Sequence, residues 1–486
     1  MRKTRFPPKS VMIGREKETK KLQELYRHDQ ADLVAIYGRR RVGKTFLVDE
    51  TFHEDYLFMH TGLFLENVSP KEALSSQLEG FFKSLKMYGC QEEKAPLTWS
   101  DAFFYLEKLI LAKQNGAKQV IFIDELPWLD TPSSHFLTAF EGFWNSFACR
   151  KKNLLVIVCG SAASWMENNL INAHGGLYGR VTYEIKLSPF SLGETMEFLQ
   201  RKYIPVTSYE AAEAYMAVGG IPYYLSYFEP GKSIAQNIND IFFGKGGVLQ
   251  LEFERLFNVT FADAELAKAI VQLLFDRKLG YSREDIIKKL SLADNGNLSK
   301  VLNALIASDF VSVYTPFGLE RKKRYYKLID PFCLFYLSFV EQKDAGEDYW
   351  NTHYGKPETL SWSGLAFENL CFNHIAQIKN KLGINAVGTE VMPWYYEDKE
   401  GKGQVDMLIK RKDNVLNLCE IKFYGDDYVA GIDDLKNANR RKEKAYSLLP
   451  KRFCVFSTLI TTFGLASNEY AFSYQNVVTL DDLCKI

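Results

Sequence analysis

The stretch Leu33–Thr45 reads LVAIYGRRRVGKT and is the most informative segment for the fold of the first part of this 486-residue chain. Its first five residues form an apolar run, which is typical of a strand buried on both faces of a parallel sheet. Similar runs recur at Val120–Ile123 and Leu154–Cys159, and the amphipathic stretch Ala102–Lys113 precedes the second run. Because strands alternate with helical patterns, we expect a doubly wound α/β domain.

The turn after the first strand fits the pattern GxxxxGK[ST]. Its residues are Gly38, Arg39, Arg40, Arg41, Val42, Gly43, Lys44 and Thr45. Glycines let backbone N–H groups turn inward around phosphates, and the following helix adds its positive dipole end. The pattern predicts that Lys44 contacts the β- and γ-phosphates of ATP and that the Thr45 hydroxyl ligates Mg²⁺. A preceding strand and a following helical stretch disfavour a chance match.

A second motif, VIFIDE at Val120–Glu125, is an apolar strand that ends in two carboxylates. Asp124 is expected to hold Mg²⁺ through water. Glu125 is expected to act as the catalytic general base on the attacking water. Such a pair can also cap a helix, but downstream of a phosphate loop the catalytic interpretation is favoured.

Two further polar residues are candidates for nucleotide contacts. Ser161 follows the third strand, where it is expected beside Asp124 and could sense the γ-phosphate; a simple turn serine fits equally well. Arg180, in the segment LYGR before the strand-like Thr182–Leu187, could reach phosphate in its own subunit or in a neighbour. A surface arginine is the alternative, so both roles are hypotheses.

Six segments in this order resemble the archaeal-type P-loop ATPases of prokaryotes, in the STAND branch of the AAA-like ATPases. They are Ile13–Glu16, Gly38–Thr45, Phe122–Leu129, Gly160–Ala162, Leu177–Arg180 and Gly219–Pro222. The resemblance covers about residues 10–230. It implies an ATP-dependent switch, with Ile13–Glu16 near the adenine.

The rest of the chain predicts three further units after an ATPase core at 10–200: a helical lid at 201–258, a winged helix-turn-helix at 259–334 and a smaller α/β domain at 335–486. The winged-helix prediction depends on three short helical patterns followed by two strand-like segments. One meaning is DNA binding, with Leu298–Ser308 as recognition helix and Arg321–Arg324 on phosphates. The other is a structural module that transmits the ATPase state.

The last unit carries a candidate catalytic and metal site at Asp406, Glu420 and Lys422. Glu420 and Lys422 share a strand face, because residues i and i+2 do so. Glu368, on an amphipathic helix predicted at Gly364–Lys379, could complete the set of Mg²⁺ ligands. The order of a helix, strands and these residues resembles the PD-(D/E)XK nuclease core. A strand-edge ion pair is the alternative.

Strands of this unit are predicted at Val405–Lys410, Val415–Phe423, Phe453–Ile460 and Val477–Leu480. A charged helix is predicted at Asp433–Lys444. The basic stretch 436–452 would hold DNA backbone in a nuclease, although such runs are more often solvated faces.

Composition limits the classes of function. Lys and Arg number 60, as do Asp and Glu, so overall charge does not drive binding to nucleic acid. The eight cysteines occur singly, without zinc spacing. No apolar run is long enough to span a bilayer, and the basic N-terminus lacks a signal-peptide apolar region. We therefore expect a cytoplasmic protein without a membrane partner.

Three functional hypotheses remain at this stage. The first is an ATP-hydrolysing protein with a nuclease-like domain and DNA as partner. The second is a STAND-type signalling ATPase whose C-terminal domains bind protein partners without cleaving nucleic acid. The third is a nucleotide-binding scaffold without turnover. Each allows a homo-oligomer.

Overall fold

The computed structural model describes residues 12–53, 55–172, 176–318, 323–341, 346–398 and 401–485. Contacts divide the chain into two compact units. The first comprises Met1–Ser188 with Val259–Ala262, and the second comprises Pro189–Asn258 with Asp263–Ile486. The finer division into four domains stays a prediction.

The first unit is an α/β layer structure. Its helices are α1 (Glu16–Tyr26), α2 (Lys44–Phe52), α3 (Pro70–Met87), α4 (Trp99–Ala112), α5 (Leu126–Leu129), α6 (Phe136–Ser146) and α7 (Ala163–Met166). Its strands are β1 (Asp32–Tyr37), β2 (Phe58–Thr61), β3 (Gln119–Asp124), β4 (Leu154–Gly160) and β5 (Tyr183–Lys186). Every pairing in the sheet, ordered β2-β3-β4-β1-β5, is parallel. This sheet confirms the predicted α/β fold.

Burial explains why the apolar runs form the centre of this sheet. Every residue of β1 and of β4 is buried, as strands covered by helices on both faces require. On one side α4 and α6 pack together through aromatic rings: Trp99 contacts Phe136 edge-on at 4.9 Å, and Phe103 stacks on Phe143 at 5.2 Å. The two helices are thus joined by an aromatic cluster.

The second unit is larger. Its helices are α8 (Leu192–Arg201), α9 (Ser208–Val218), α10 (Pro222–Leu225), α11 (Ile234–Phe242), α12 (Glu252–Thr260, whose last two residues fall in the first unit), α13 (Ala264–Phe275), α14 (Arg283–Lys289), α15 (Gly296–Ala307), α16 (Pro331–Phe335), α17 (Tyr349–His353), α18 (Pro357–Asn373), α19 (Ile375–Lys381), α20 (Ile432–Leu448) and α21 (Leu480–Leu483). Its strands are β6 (Tyr281–Ser282), β7 (Val311–Tyr314), β8 (Tyr325–Leu328), β9 (Thr389–Asp398), β10 (Gly401–Arg411), β11 (Val415–Lys422), β12 (Cys454–Thr461) and β13 (Asn476–Val478). Short 3-10 or π-helical turns cover Ala148–Arg150, Glu167–Ile171, Tyr336–Val340 and Ala471–Ser473.

Helices α13 to α15 precede a small antiparallel sheet in the order β6-β8-β7. The three predicted helices and two predicted strands of this segment are therefore present, and β6 is an additional strand. Arg321 and Lys322, in the predicted DNA-contacting loop, lie outside the described residues. The function of the segment stays a prediction.

The C-terminal sheet has the order β13-β12-β11-β10-β9. Strands β9, β10 and β11 are antiparallel neighbours, whereas β12 and β13 run parallel to β11, with α20 as the crossover between β11 and β12. The four predicted strands correspond to β10 through β13, with ends that differ by a few residues. Strand β9 was missed because it contains Pro393; an edge strand tolerates a proline that a central strand would not.

The prediction of one helix at Gly364–Lys379 is wrong in one respect: in the structure the helix is broken at His374 into α18 and α19. The His374 ring is fully buried. Its Nε2 accepts a hydrogen bond from Leu192 N at 2.7 Å, and its Nδ1 donates to Leu370 O at 2.7 Å. These partners require a neutral imidazole. The break coincides with a contact 182 residues away in sequence, which local helical periodicity does not contain.

Buried His374 predicts lower stability in acid. Burial lowers the pKa of His374 to about 4 from an ordinary value of 6.5. Below pH 6.5 the unfolded chain therefore binds a proton that the folded chain does not, and stability falls as the pH drops towards 4. At pH 5 the loss is about 2 kcal/mol, because one pKa unit corresponds to about 1.4 kcal/mol.

The measurement compares wild type with His374→Gln, since glutamine can accept and donate the same hydrogen bonds without titrating. Hydrogen exchange of peptides from α8 and α18, at pH 7.5 and 5.0, reports the local opening free energy. We expect acid to increase opening in the wild type by more than in the variant. Equal responses would contradict the lowered pKa.

Candidate functional site

The loop between β1 and α2 has a backbone that favours glycine. Gly38 has φ 138° and Gly43 has φ 92°, both in the left-handed region. A Cβ atom on Gly38 would lie 2.3 Å from Leu187 O, so no side chain fits there. Gly43 is the N-cap of α2, and Lys44 is the first residue of that helix. The loop therefore places a helix N-terminus directly after a buried strand.

Lys44 is held inside this loop. Its ammonium donates to Gly38 O and to Arg39 O, each at 3.1 Å. Burial lowers the pKa of Lys44, although the carboxylates of Glu125 and Asp124 oppose that effect. A buried cation at a helix N-terminus provides a binding position for phosphate.

Thr45 and Asp124 meet at the ends of α2 and β3. Thr45 Oγ1 donates to Asp124 Oδ2 at 2.7 Å, and Asp124 Oδ1 accepts from Glu125 N at 2.9 Å. Burial raises the pKa of Asp124, even though the bond from Thr45 opposes the shift. A hydroxyl and a carboxylate side by side are oxygen ligands suited to hydrated Mg²⁺. The predicted pair is therefore brought together.

Glu125 is oriented by Ser161. Glu125 has φ 47°, and its Oε2 accepts from Ser161 N at 3.0 Å and from Ser161 Oγ at 2.7 Å. Ser161 was expected beside Asp124, but its hydroxyl bonds to the neighbouring Glu125 instead, because the left-handed residue turns that carboxylate toward β4. A contact of Ser161 with the γ-phosphate stays a prediction.

Several residues around the loop support it. The side chain of Arg39 is only 1% exposed, and Val42 is buried. The guanidinium of Arg40 lies over the Trp128 ring, 5.5 Å from its centroid. Arg15 Nη2 donates to Ser188 O at 2.7 Å, which anchors the segment predicted near the adenine. The role of Trp128 was missed, because an aromatic at that position resembles ordinary core.

Arg180 lies away from the loop of its own chain. It is exposed in the turn before β5, and Thr182 N donates to Leu33 O at the start of β1. The phosphate loop follows the other end of β1. At about 3.3 Å per residue, Leu33 and Gly38 are roughly 16 Å apart along the strand. The structure therefore does not bring Arg180 to these phosphates, and a role on a neighbouring subunit stays a prediction.

The second unit contains a separate polar cluster around Lys278, in the turn between α13 and β6. The Lys278 ammonium contacts Glu368 Oε1 of α18, and it lies 3.3 Å from Asp406 Oδ1 of β10. Asp406 Oδ2 accepts from Ile421 N at 3.0 Å. Burial and the charge of Asp406 raise the pKa of Glu368, although Lys278 opposes them. Two carboxylates thus share one ammonium.

Glu420 faces other cations. Its carboxylate contacts Arg441 of α20 and lies 2.9 Å from Lys422 Nζ. Burial would lower the pKa of Lys422, but the carboxylates of Glu420 and Asp406 raise it above the ordinary value. Lys422 thus contacts Glu420 directly, and the meeting of Asp406, Glu420 and Lys422 in one pocket stays a prediction.

The predicted metal ligands Glu368, Asp406 and Glu420 do not form one cluster here. Among the residues that the structure describes, no group of three or more His, Cys, Asp or Glu side chains is placed to hold a metal ion. The reason is that the carboxylates are divided between cations: Lys278 takes the first two, whereas Arg441 and Lys422 take the third.

Two lysines of this cluster were missed. Lys278 is 90 residues from Glu368 and 128 from Asp406. Lys327 of β8 is almost fully buried, and its Nζ donates to Asn369 Oδ1 at 2.5 Å. Burial lowers the pKa of Lys327, against the opposing charge of Glu368. No local pattern in the sequence connects these residues, so only tertiary structure brings them together.

The predicted recognition helix corresponds to α15. Its buried face consists of Leu298, Val301, Leu302 and Leu305. Asn297 donates to Asp263 at 2.7 Å, whereas Lys300 and Asn303 are exposed.

None of the helices in the described part of the chain combines the length and apolar character that a membrane span requires.

The parallel sheet, the loop Gly38–Thr45 and the Thr45–Asp124 contact define a P-loop ATPase domain. Residues 12–228 match the family described as an ATPase domain predominantly from Archaea. Over these residues the chain is similar to archaeal-type ATPase domains. An uncharacterized protein of Methanocaldococcus jannaschii, MJECL04, is 22% identical over 466 residues, which cover 91% of this chain and 96% of that protein.

Solved structures with similar folds include the Walker-type ATPase PABY2304 of Pyrococcus abyssi, with a TM-score of 0.46 and 21% identity over 68% of this chain and 97% of that one. The ORC2 protein of Aeropyrum pernix, in ADPNP–ADP complexes, has a TM-score of 0.37 and 14% identity over 70% and 96%. A STAND protein with a tetratricopeptide repeat sensor from Pyrococcus horikoshii has a TM-score of 0.30 and 17% identity over 78% and 53%.

Proposed function

We propose that this protein is an ATP- and Mg²⁺-dependent switch in the cytoplasm, and that residues 335–486 form a PD-(D/E)XK-type nuclease acting on DNA. The ATPase part depends on the loop geometry. The nuclease part depends chiefly on one observation: Asp406 and Glu420 lie on neighbouring antiparallel strands, and Lys422 Nζ lies 2.9 Å from Glu420.

In the ATPase site each residue has a separate task. The loop N–H groups and Lys44 bind the β- and γ-phosphates. Thr45 and Asp124 would hold Mg²⁺, which supplies positive charge to those phosphates. Glu125 takes the proton of the attacking water, and Ser161 orients its carboxylate. When ATP binds, the Lys44 ammonium replaces its hydrogen bonds to two loop carbonyls with hydrogen bonds to phosphate oxygens, which are stronger acceptors.

The topology of the C-terminal sheet supports the nuclease part. Helix α18 leads into the meander β9-β10-β11, and α20 then crosses over to β12, parallel to β11. The antiparallel register of β10 with β11 begins at the pair Met407 and Cys419, and Asp406, in the middle of β10, and Glu420 adjoin this pair on their strands. Lys422 lies on the same face as Glu420, because it follows Glu420 by two positions along the strand.

The charges also fit a cation site. Two carboxylates this close repel each other unless a cation lies between them. Mg²⁺ takes oxygen ligands at about 2.1 Å, so it requires converging carboxylates such as Glu368 and Asp406. When bound it supplies Lewis-acid polarisation of a phosphate oxygen. Lys422 would position the attacking water, and the basic residues of α20 would contact DNA backbone.

A signalling ATPase without nuclease activity is the second candidate. It is favoured by the existing ion pairs, because Lys278, Lys422 and Arg441 already neutralise the three carboxylates. In that case the segment with α13 to α15 and the C-terminal sheet would bind protein partners.

Cleavage assays with Mg²⁺ or Mn²⁺, on supercoiled plasmid and on single-stranded DNA, distinguish the candidates. We expect the wild type to cleave and Asp406→Asn to lose at least about 100-fold of the rate, since even partners beyond the ligands of a metal commonly cost 10- to 100-fold. Asp433→Asn is the matched control, because Asp433 is exposed on α20. A wild type without cleavage in any of these conditions would favour the signalling candidate.

A further inference from the structure

We infer that Lys278 closes the C-terminal cation site, because its ammonium occupies the position between Glu368 and Asp406 that a divalent cation requires. Metal binding then needs the Lys278 side chain to withdraw. The inference rests on the proposed nuclease site, in which the Lys278 ammonium competes with the divalent cation for the two carboxylates.

The contacts of Lys278 carry this inference. Its ammonium touches Glu368 and lies 3.3 Å from Asp406 Oδ1, to which Gln404 Nε2 also lies 3.5 Å away. The two carboxylates are only 10% and 14% exposed, whereas the Lys278 side chain is 32% exposed. The lysine is therefore the more exposed partner, and its ammonium contacts two carboxylates that are largely buried.

The turn that presents Lys278 is firmly packed. Gly280 has φ 68°, and a Cβ there would lie 1.8 Å from Tyr326 O, so the turn lies directly against β8. Gly280 N donates to Arg277 O at 2.7 Å, and Tyr314 of β7 donates through its hydroxyl to Leu279 O at 2.6 Å. The backbone of Lys278 is thus positioned by the β6-β8-β7 sheet and is not a free surface loop.

An ammonium and a divalent cation exclude each other at these oxygens. Both need the same carboxylate lone pairs, and Mg²⁺ or Mn²⁺ must approach them more closely than the ammonium does. Their like charges also repel at such short range. Lys422 and Arg441 are different, because they bind Glu420 and leave the Glu368–Asp406 pair to Lys278.

The closure therefore links two parts of the second unit. The lysine comes from the segment that carries α13, β6, β7 and β8, whereas both carboxylates come from the C-terminal α/β part. A movement of that segment that lifts the Lys278 side chain would open the cation site. In the same segment, Lys327 Nζ donates a hydrogen bond to Asn369 Oδ1, and Asn369 follows Glu368 in the sequence. This hydrogen bond keeps the two parts in contact.

Calorimetric titration of Mn²⁺ into the full-length protein tests the closure without any activity assay. Lys278→Gln should bind Mn²⁺ about 10- to 100-fold more tightly than the wild type, since no charged hydrogen bond must be displaced. Lys300→Gln, an exposed lysine of α15, should match the wild type. The thermal midpoint should rise more on Mn²⁺ addition in Lys278→Gln than in the other two proteins.

Two further variants make each failure distinct. The double variant Asp406→Asn, Lys278→Gln should lose Mn²⁺ binding, and this loss would locate the bound Mn²⁺ at the carboxylate of Asp406. Lys278→Arg keeps the positive charge, so its affinity for Mn²⁺ should not exceed that of the wild type. This variant provides a second test of the closure if Lys278→Gln does not fold. Equal Mn²⁺ affinity in wild type and Lys278→Gln, lost with Asp406→Asn, would overturn the closure and keep the metal site. No Mn²⁺ binding in any variant would overturn the proposed nuclease function as well.

Discussion

Lys44→Ala is expected to weaken ATP binding roughly 100- to 10,000-fold, because two charge-assisted contacts to phosphate are lost at about 1.5–3 kcal/mol each. Lys44 is the one lysine of the loop Gly38–Thr45, and its ammonium is directed inward, at Gly38 O and Arg39 O. Two of the arginines are engaged elsewhere, since Arg40 packs over Trp128 and Arg39 is buried. Isothermal titration of ATP with Mg²⁺ measures the loss.

Lys83→Ala is the matched control for this charge removal. Lys83 is 74% exposed and pairs only at the surface with Glu79, so its loss should leave ATP affinity unchanged. Circular dichroism should show both variants folded, since removing a buried cation also removes its desolvation cost. ATP affinity in Lys44→Ala equal to that of wild type would contradict the assignment of the phosphate site.

Glu125→Gln is expected to lower ATP turnover by about 10²- to 10⁴-fold and to retain ATP binding, because the amide cannot take a proton from water. The structure makes glutamine a clean substitute. Its carbonyl oxygen can accept the same hydrogen bonds from Ser161 N and Ser161 Oγ that the carboxylate accepts now. Release of phosphate under saturating ATP measures turnover, and filter binding measures the retained nucleotide.

Glu79→Gln controls for the loss of one carboxylate, since Glu79 is exposed on α3 and pairs with Lys83. Its turnover should equal that of the wild type. Turnover within about threefold of wild type in Glu125→Gln would exclude Glu125 as the base, given the usual size of a general-base contribution. Loss of ATP binding in that variant would instead assign Glu125 a binding role.

The geometry behind these two predictions is the edge where parallel strands end. Lys44, Asp124 and Ser161 follow β1, β3 and β4, and open α/β sheets bind ligands at the carboxyl ends of their strands. Each residue is placed by a strand buried at nearly every position. The strands thus position the candidate site before nucleotide is bound, and the carbonyl contacts of Lys44 are the ones that phosphate would replace.

Sequence reasoning predicted well the parts of the protein that are local. The phosphate loop, its strand and its helix are contiguous, so Gly38–Thr45 can be interpreted directly. The four C-terminal strands were predicted from their apolar runs. It failed at β9, where Pro393 obscured an edge strand, and at His374, where a contact with Leu192 coincides with a helix break.

The phosphate loop, the second motif of a strand with two carboxylates, and the Asp and Glu-x-Lys residues on later strands can all be derived from the sequence alone. Each is encoded by neighbouring residues whose spacing sets their common face. Which cation meets which carboxylate is set by tertiary packing instead. Lys278 reaches Glu368 and Asp406 across 90 and 128 residues. Such pairings depend on how whole elements pack, because electrostatic contacts act through space and leave no periodic trace along the chain.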